Sequence, residues 1–140
     1  MISQEIIKTE DFDFYGLRFG MERKQIESLY RVESKNGLNR VQNPGHHMDS
    51  LFLYFDYRKR LFRIEAYYKY NVNEEAIALS YALKEKFEDL IAKFYQDIEI
   101  KIETHSKYES SQFFVMILTS KSIENDYIGF LKNEILMEMK

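Results

Sequence analysis

The sequence predicts an α+β fold in which an antiparallel sheet of four or five strands packs against one long central helix. Residues 51–70 and 97–119 each have the pattern of two strands joined by a turn. Between them, residues 74–95 repeat apolar side chains every three or four positions, as an amphipathic helix does. The element order is therefore α-β-β-(β)-α-β-β-α. At 140 residues, we expect a single domain over residues 1–140.

The strand predictions rest on side chains that alternate between two faces, because successive residues of a strand point to opposite sides of a sheet. A turn at 58–59 separates the first two strands, and residues 98–103 alternate isoleucine with charged residues. The apolar positions expected to meet the central helix are Leu51, Leu53 and Phe55, then Phe62, Ile64 and Ala66, then Ile98, Ile100 and Ile102. The opposite faces carry polar and aromatic side chains, which we expect to be exposed.

Three helices are predicted from capping residues and apolar spacing. The first is short and covers residues 22–30. The central helix follows Asn73, a good N-cap residue, and the last helix follows Ser122. The apolar stripe of the last helix is Ile123, Tyr127, Phe130, Leu131 and Ile135.

The segment 31–50 has two interpretations. Asn36-Gly37 is a strong signal for a two-residue hairpin turn, which would pair residues 32–35 with residues 38–41. Alternatively, the segment is a binding loop or lid, since a long stretch without secondary structure in so small a domain usually has a function.

Composition limits the class of protein. Hydrophobic residues make up 45% and charged residues 31%, which is the balance of a soluble globular domain. The chain has no cysteine, which excludes disulfides, thiolate nucleophiles and a lipid-bearing cysteine anchor. The N-terminus lacks the pattern of a secretory signal, and no stretch approaches the roughly 20 apolar residues of a membrane span. We therefore expect a cytoplasmic protein without a membrane partner.

Charge is unevenly distributed along the chain. Residues 1–70 carry 12 Lys/Arg against 10 Asp/Glu, whereas residues 71–140 carry 8 against 13. The net charges of the two halves are therefore +2 and −5. An acidic second half disfavours nucleic acid as a partner, because a phosphate backbone binds positive surfaces.

Arginine and tyrosine are concentrated around the first strand pair. Arg58, Arg60 and Arg63 lie at its turn and in its second strand, with Tyr54 and Tyr67 nearby. These residue types are enriched at protein–protein interfaces. The same mixture would suit nucleic-acid bases or an anionic ligand, or it could protect the hairpin from pairing with another strand edge. We take protein contact as the leading functional interpretation.

Three histidines are the only candidates for a metal site. His46 and His47 are adjacent, with Asp49 close behind, and His105 lies far along the chain. Adjacent histidines point in different directions, so further ligands would have to come from other elements. The spacing does not match a known zinc pattern, so we predict no metal and no cofactor.

Catalytic signatures are missing from the sequence. It has no glycine-rich phosphate loop, no nucleophile elbow and no HExxH motif. Glu65, Glu99 and Glu103 could share an outer sheet face, but carboxylates on exposed strands are usually solvated. The sequence therefore favours a protein that is not an enzyme.

Several residues resemble the opening of a known class of small bacterial α/β proteins. They are residues 16–21 (Gly-Leu-Arg-Phe-Gly-Met), Ile26, Leu29, Phe55, Asp56, Leu61 and Ile64. In proteins similar to the outer-membrane assembly lipoprotein BamE and its β-lactamase-inhibitor-like relatives, a Gly-Met turn starts a helix on which a hairpin packs. The resemblance implies a binding protein. Element order, small size and a pI of about 5.7 are also similar to type III secretion chaperones and toxin-immunity proteins.

These observations predict a non-enzymatic protein-binding domain, such as a toxin-immunity protein or an effector chaperone. The expected binding residues lie on the exposed sheet face and hairpin: Tyr54, Arg58, Arg60, Arg63, Tyr67, Glu99 and Glu103. The alternative is a small ligand- or metal-binding, and potentially hydrolytic, domain that uses the 31–50 segment. A homodimer formed through the last helix or an edge strand is a further option.

Overall fold

The computed structural model describes residues 12–46, 48–70, 81–82, 85, 97–106 and 112–139. Within these residues the chain has an α+β fold with one six-stranded antiparallel sheet. The elements are α1 (Arg23–Glu27), β1 (Arg31–Lys35), β2 (Leu38–Gln42), β3 (Ser50–Phe55), β4 (Leu61–Tyr70), β5 (Ile98–Ser106), β6 (Gln112–Ser120) and α2 (Lys121–Glu138). The sheet order is β1-β2-β3-β4-β6-β5, so β1 and β5 form its two edges.

The predicted α+β class and the antiparallel sheet are confirmed, but the sheet has six strands instead of four or five. The difference arises because residues 31–42 form a complete hairpin that extends the sheet. Tyr81, Ala82 and Glu85 are helical, in agreement with the predicted helix over 74–95. The other residues of that range lie outside the described part of the chain.

The hairpin predicted at Asn36-Gly37 joins β1 and β2. Both turn residues have positive φ, 54° and 78°, which matches the right-handed twist of the flanking strands. Arg31 is opposite Gln42 at the open end of the hairpin. The first of the two interpretations of the 31–50 segment is therefore confirmed for β1 and β2, and a loop connects β2 to β3.

The apolar core lies on one face of the sheet, called the inner face below. Its buried strand residues are Val41, Leu51, Leu53, Leu61, Ile64, Ala66, Tyr68, Ile98, Met116 and Leu118. Residues 12–21 pack against them with Phe12, Phe14 and Leu17, and α1 adds Ile26; all four side chains are at most 2% exposed. Each such burial contributes about 1.5–3 kcal/mol. The N-terminal segment and α1 are thus the described cover of the inner face.

A β-bulge at the start of β4 overturns one detail of the predicted pattern. The register shifts at the end of β3, where Phe55 is opposite Leu61, so Phe62 is an extra residue. Alternation from the predicted core position Phe62 would place Leu61 on the outer side, but Leu61 is fully buried in the core. Phe62 was expected in the core but stacks on Tyr127 of α2, with ring centroids 5.6 Å apart. Beyond the bulge, Ile64 lies on the inner face as predicted.

α2 begins at Lys121, directly after β6, which is two residues earlier than the predicted cap implies. The Asp97 carboxylate accepts hydrogen bonds from the Ser122 backbone N–H at 2.7 Å and from the Ser120 hydroxyl at 2.9 Å. It also supplies negative charge where the helix dipole is positive. Asp97, the residue before β5, therefore fixes the junction between β6 and α2.

The described contacts of α2 with the core and the β3–β4 turn lie between residues 123 and 130. Ile123 contacts the core, and Phe130 stacks on Tyr57 with ring centroids 4.0 Å apart. Leu131 and Ile135, which belong to the predicted stripe, are 41% and 56% exposed. In the part of the chain that the structure describes, no helix combines the length and apolarity needed to cross a membrane.

Candidate functional site

The face of the sheet opposite the core, called the outer face below, carries five of the seven predicted site residues. The register of β3, β4, β6 and β5 arranges its side chains in three rows. The rows are Tyr54–Arg63–Thr119–Glu99, Phe52–Glu65–Ile117–Lys101 and Ser50–Tyr67–Val115–Glu103. Since neighbouring strands lie about 4.8 Å apart, each row spans roughly 14 Å.

Glu65 lies at the centre of the polar part of this face. Its carboxylate accepts a hydrogen bond from the Tyr54 hydroxyl at 3.0 Å and another from Arg63 Nη2 at 2.9 Å. Glu65 is only 8% exposed, so the prediction that it is a solvated carboxylate is wrong, although its place on the outer face is confirmed. A buried carboxylate is stable when it is paired and hydrogen-bonded, and both partners come from the adjacent Tyr54–Arg63–Thr119–Glu99 row.

The same three side chains also hold each other in place. The Arg63 guanidinium carbon lies 5.4 Å from the Tyr54 ring centroid, within the range of a cation–π contact. Burial, followed by the charge and hydrogen bond of Glu65, raises the pKa of Tyr54 to about 12. Arg63 Nε is buried and has no acceptor among the described residues. The Glu65 carboxylate and the Tyr54 ring therefore hold the Arg63 side chain from two sides.

Tyr67 and Phe52 extend the aromatic part of the face. Their rings meet edge to face, with centroids 5.5 Å apart, which is a favoured geometry for aromatic pairs. Burial first and then Glu65 raise the pKa of Tyr67. Both residues are partly exposed, so they present apolar surface as well as a hydroxyl group.

Exposure increases across the outer face from its centre towards the β5 edge. Val115 and Ile117 are 1% and 8% exposed, whereas the side chains of Glu99 and Lys101 are 42% and 61% exposed. Glu99 and Lys101 are 3.4 Å apart, and Glu103 is also exposed. The outer face is thus half-buried near Glu65 and open only at β5, whereas an exposed face was expected throughout.

The two remaining predicted residues lie in the β3–β4 turn and have different environments. The buried Asp56 carboxylate accepts hydrogen bonds from the backbone N–H groups of Arg58 and Arg60 and from Arg60 Nε at 2.8 Å. Arg60 also pairs with Asp126 of α2 at 2.9 Å, so it joins the turn to the helix. Arg58 is exposed, and its guanidinium carbon lies 5.2 Å from the Tyr57 ring centroid. Of the two arginines, Arg58 is the more accessible.

A cleft of about 410 Å³ lies beside this turn, where the β1–β2 hairpin approaches α2. Positive charge comes from Arg23 and Lys59, and the aromatic lining comprises Tyr54, Phe55, Phe62 and Tyr127. Arg23 donates hydrogen bonds to groups of α1 and of the hairpin. The cleft continues the outer face from Tyr54 towards the turn.

The histidine candidates are not brought together by the described structure. The His46 ring stacks on Tyr15, with centroids 3.8 Å apart and planes 15° from parallel. His105 lies in β5 opposite residue 113, and His47 lies outside the described residues. Among the residues that are described, no group of three His, Cys, Asp or Glu side chains could hold a metal ion.

The common face of the five site residues could be predicted from the sequence. Successive side chains of a strand point to opposite faces, and this pattern can be read within each strand alone. Sequence reasoning missed Phe52 as a contributor, although the same alternation assigns Phe52 to the side of Tyr54. It also missed the pairing of Glu65 with Arg63, two residues away in β4. That spacing on a strand could have indicated a contact, since residues i and i+2 share a face.

Comparisons with protein-family models, with curated proteins and with solved structures found no match to this chain. The outer face and the β3–β4 turn are therefore the described features from which a function can be inferred.

Proposed function

We propose that this chain is a non-enzymatic protein-binding domain, of the kind represented by toxin-immunity proteins and effector chaperones. In this proposal the partner protein contacts the outer face and the β3–β4 turn. The supporting observation is the cluster of Tyr54, Arg63 and Tyr67 around the buried Glu65 carboxylate. Tyrosine and arginine are the residue types that most often dominate binding energies at protein interfaces.

The arrangement of the cluster strengthens this proposal. Tyr54 and Arg63 are already held by Glu65 before any partner binds, so little side-chain freedom is lost on association. β3 and β4 pair along six residues of β3, which gives the cluster a rigid support. The exposed Arg58 is suited to carboxylates or backbone carbonyls of a partner.

The test is affinity capture with the tagged full chain in lysate of the organism that encodes it. Replacing Arg63 and Tyr67 together by alanine should abolish capture of a stoichiometric partner. Because Arg63 also pairs with Glu65, a second variant that spares the cluster is needed. Arg58→Glu reverses one exposed charge outside the cluster, and we expect it to weaken capture while the unfolding temperature stays the same.

The matched control is the double substitution His46→Ala with His47→Ala, which replaces none of the residues in the three rows of the outer face. Capture that survives in this control but not in the Arg63/Tyr67 variant supports the proposal. The reverse pattern, together with a metal found in the wild-type protein by elemental analysis, would favour the ligand- or metal-binding alternative. Capture that is unaffected by either outer-face variant in folded protein would refute the proposed surface.

A further inference from the structure

β5 forms one edge of the sheet and is the longer of the two edge strands. It has nine residues, whereas β1 at the other edge has five. Among the described residues, β5 pairs with β6 only. We propose that two copies of this chain associate through β5, antiparallel to each other about a two-fold axis at Ile102, so that their sheets become continuous.

The backbone of β5 is oriented for this pairing. The Lys121 N–H donates to the Asp97 carbonyl oxygen at 2.8 Å, in continuation of the register that puts Ile98 opposite Ser120. In an antiparallel ladder, residues alternate between those that bond the neighbouring strand and those that face away. Asp97 and every second residue after it therefore bond β6. Ile98, Ile100 and Ile102 turn their backbone groups away from β6, to the edge of the described sheet.

This alternation restricts how two copies can align. Outward-facing residues of one copy must be opposite outward-facing residues of the other, so the alignment can shift only in steps of two residues. An axis at Ile102 overlaps the complete strand, from Ile98 to Ser106. Five residue pairs could then exchange two hydrogen bonds each, or about ten in total.

The charges on the outer face favour the same alignment. With the axis at Ile102, Lys101 is opposite Glu103 of the partner subunit, and this pair occurs twice. Both side chains are exposed, and they lie at non-hydrogen-bonded positions, where Cα atoms are only about 4.5 Å apart. Opposite charges at directly facing positions stabilise a strand pair.

Neighbouring alignments are less favourable. An axis at Lys101 would place Lys101 opposite its own copy and Glu99 opposite Glu103 of the partner subunit. An axis at Ile100 would pair Lys101 with Glu99 of the partner subunit. However, it would bring Asp97 opposite Glu103 of the partner subunit and would overlap fewer residues. Complete overlap and charge complementarity therefore coincide only for the axis at Ile102.

Two copies of β1 would not bring opposite charges together. If two copies of β1 overlapped completely, Glu33 would lie opposite its own copy. Arg31 would lie opposite Lys35 of the partner subunit, so every facing charged pair would repel. Charged side chains therefore attract across a β5–β5 pair and repel across a β1–β1 pair. For this reason the second copy is expected at β5.

The test is the mass of the purified full chain in solution, measured by sedimentation equilibrium or light scattering over a range of concentrations. We expect a dimer for the wild-type chain. Lys101→Glu should raise the dimer dissociation constant at least about tenfold, because two attractive pairs become repulsive. Glu103→Lys should do the same. The double exchange Lys101→Glu with Glu103→Lys restores opposite charges and should restore the dimer.

Lys35→Glu is the matched control, since it makes the same change of net charge at the β1 edge and should leave the dimer intact. Circular dichroism of each variant establishes that it is folded. A wild-type chain that stays monomeric would overturn the proposal, as would a dimer indifferent to Lys101→Glu or a folded double exchange that stays monomeric. The assay contains no other protein, so its outcome is independent of partner capture by the outer face.

Discussion

Replacing Glu65 by alanine removes the carboxylate that connects the side chains of the outer face. The Tyr54 hydroxyl loses its acceptor at 3.0 Å, and Arg63 loses its ion pair at 2.9 Å. A hydrogen bond to a charged group contributes about 1.5–3 kcal/mol. The Arg63 side chain is 34% exposed, so its ion pair adds only about 0.5–1 kcal/mol. We therefore expect Glu65→Ala to lower the free energy of unfolding by about 2–4 kcal/mol.

Urea denaturation followed by circular dichroism measures this change. With a slope of about 2 kcal/mol per molar urea, which is usual for a small domain, the midpoint should fall by roughly 1–2 M. Glu65→Gln keeps an oxygen acceptor for Tyr54 but loses the charge, so its effect should be smaller, about 1 kcal/mol. The control is Glu99→Ala, which breaks an exposed ion pair with Lys101 and should cost at most about 0.5 kcal/mol.

A double-mutant cycle tests whether the loss comes from the cluster itself. Tyr54→Phe removes the same hydrogen bond and should cost about 1.5–3 kcal/mol in the wild-type chain, but much less in the Glu65→Ala background. If the two changes were additive, or if Glu65→Ala cost no more than Glu99→Ala, the proposed coupling through the Glu65 carboxylate would be wrong.

Three further predictions concern the rest of the described structure. Because the pKa of Tyr54 is about 12 when folded and 10.0 when unfolded, the unfolded chain loses this proton first, and stability should fall as pH rises from 10 to 12. The full pKa difference corresponds to at most about 2.7 kcal/mol of stability, and solvent screening reduces it to about 1 kcal/mol. The urea midpoint should fall less over this pH range in Tyr54→Phe than in the wild-type chain. An equal fall in both would contradict the assignment of the effect to Tyr54. Asp97→Ala removes the cap of α2 and should lower stability by about 1–2 kcal/mol, whereas Asp97→Asn should keep most of the cap. Equal unfolding temperatures for the wild-type chain and both variants would exclude capping by this carboxylate. Lys59 has φ 65°, a left-handed conformation that glycine adopts more easily than lysine, so Lys59→Gly should be neutral or stabilising by up to about 1 kcal/mol. In the same thermal assay, Lys35→Gly in the strand β1 should be destabilising.

The parts of the fold that could be predicted are those encoded by local patterns. Alternation identified both faces of β3 and of most of β4, and Asn36-Gly37 identified the first hairpin turn. Each signal depends on the preferences of residues close together in the chain, so no knowledge of the neighbouring strands is needed. The bulge at Phe62 could not be predicted, because it depends on the register of two strands.

The candidate site, like the fold, could be predicted only in part. The residue types and their common face followed from the sequence, but the roles of the individual side chains did not. Arg58 and Arg60 look equivalent in the sequence, yet only Arg60 is held between Asp56 and Asp126. Asp126 belongs to α2, so this distinction exists only once the helix packs beside the β3–β4 turn.

The sequence by itself determined the α+β class, the alternation of the strands and the accumulation of tyrosine and arginine on one side of the sheet. These are consequences of backbone geometry and of side-chain chemistry along short segments. The tertiary structure decided the strand order, the burial of Glu65 and the place of β5 at an edge. The physical reason is that burial and pairing depend on which distant segments become neighbours. That choice is made by the free energy of the whole core and cannot be obtained from any single strand or helix.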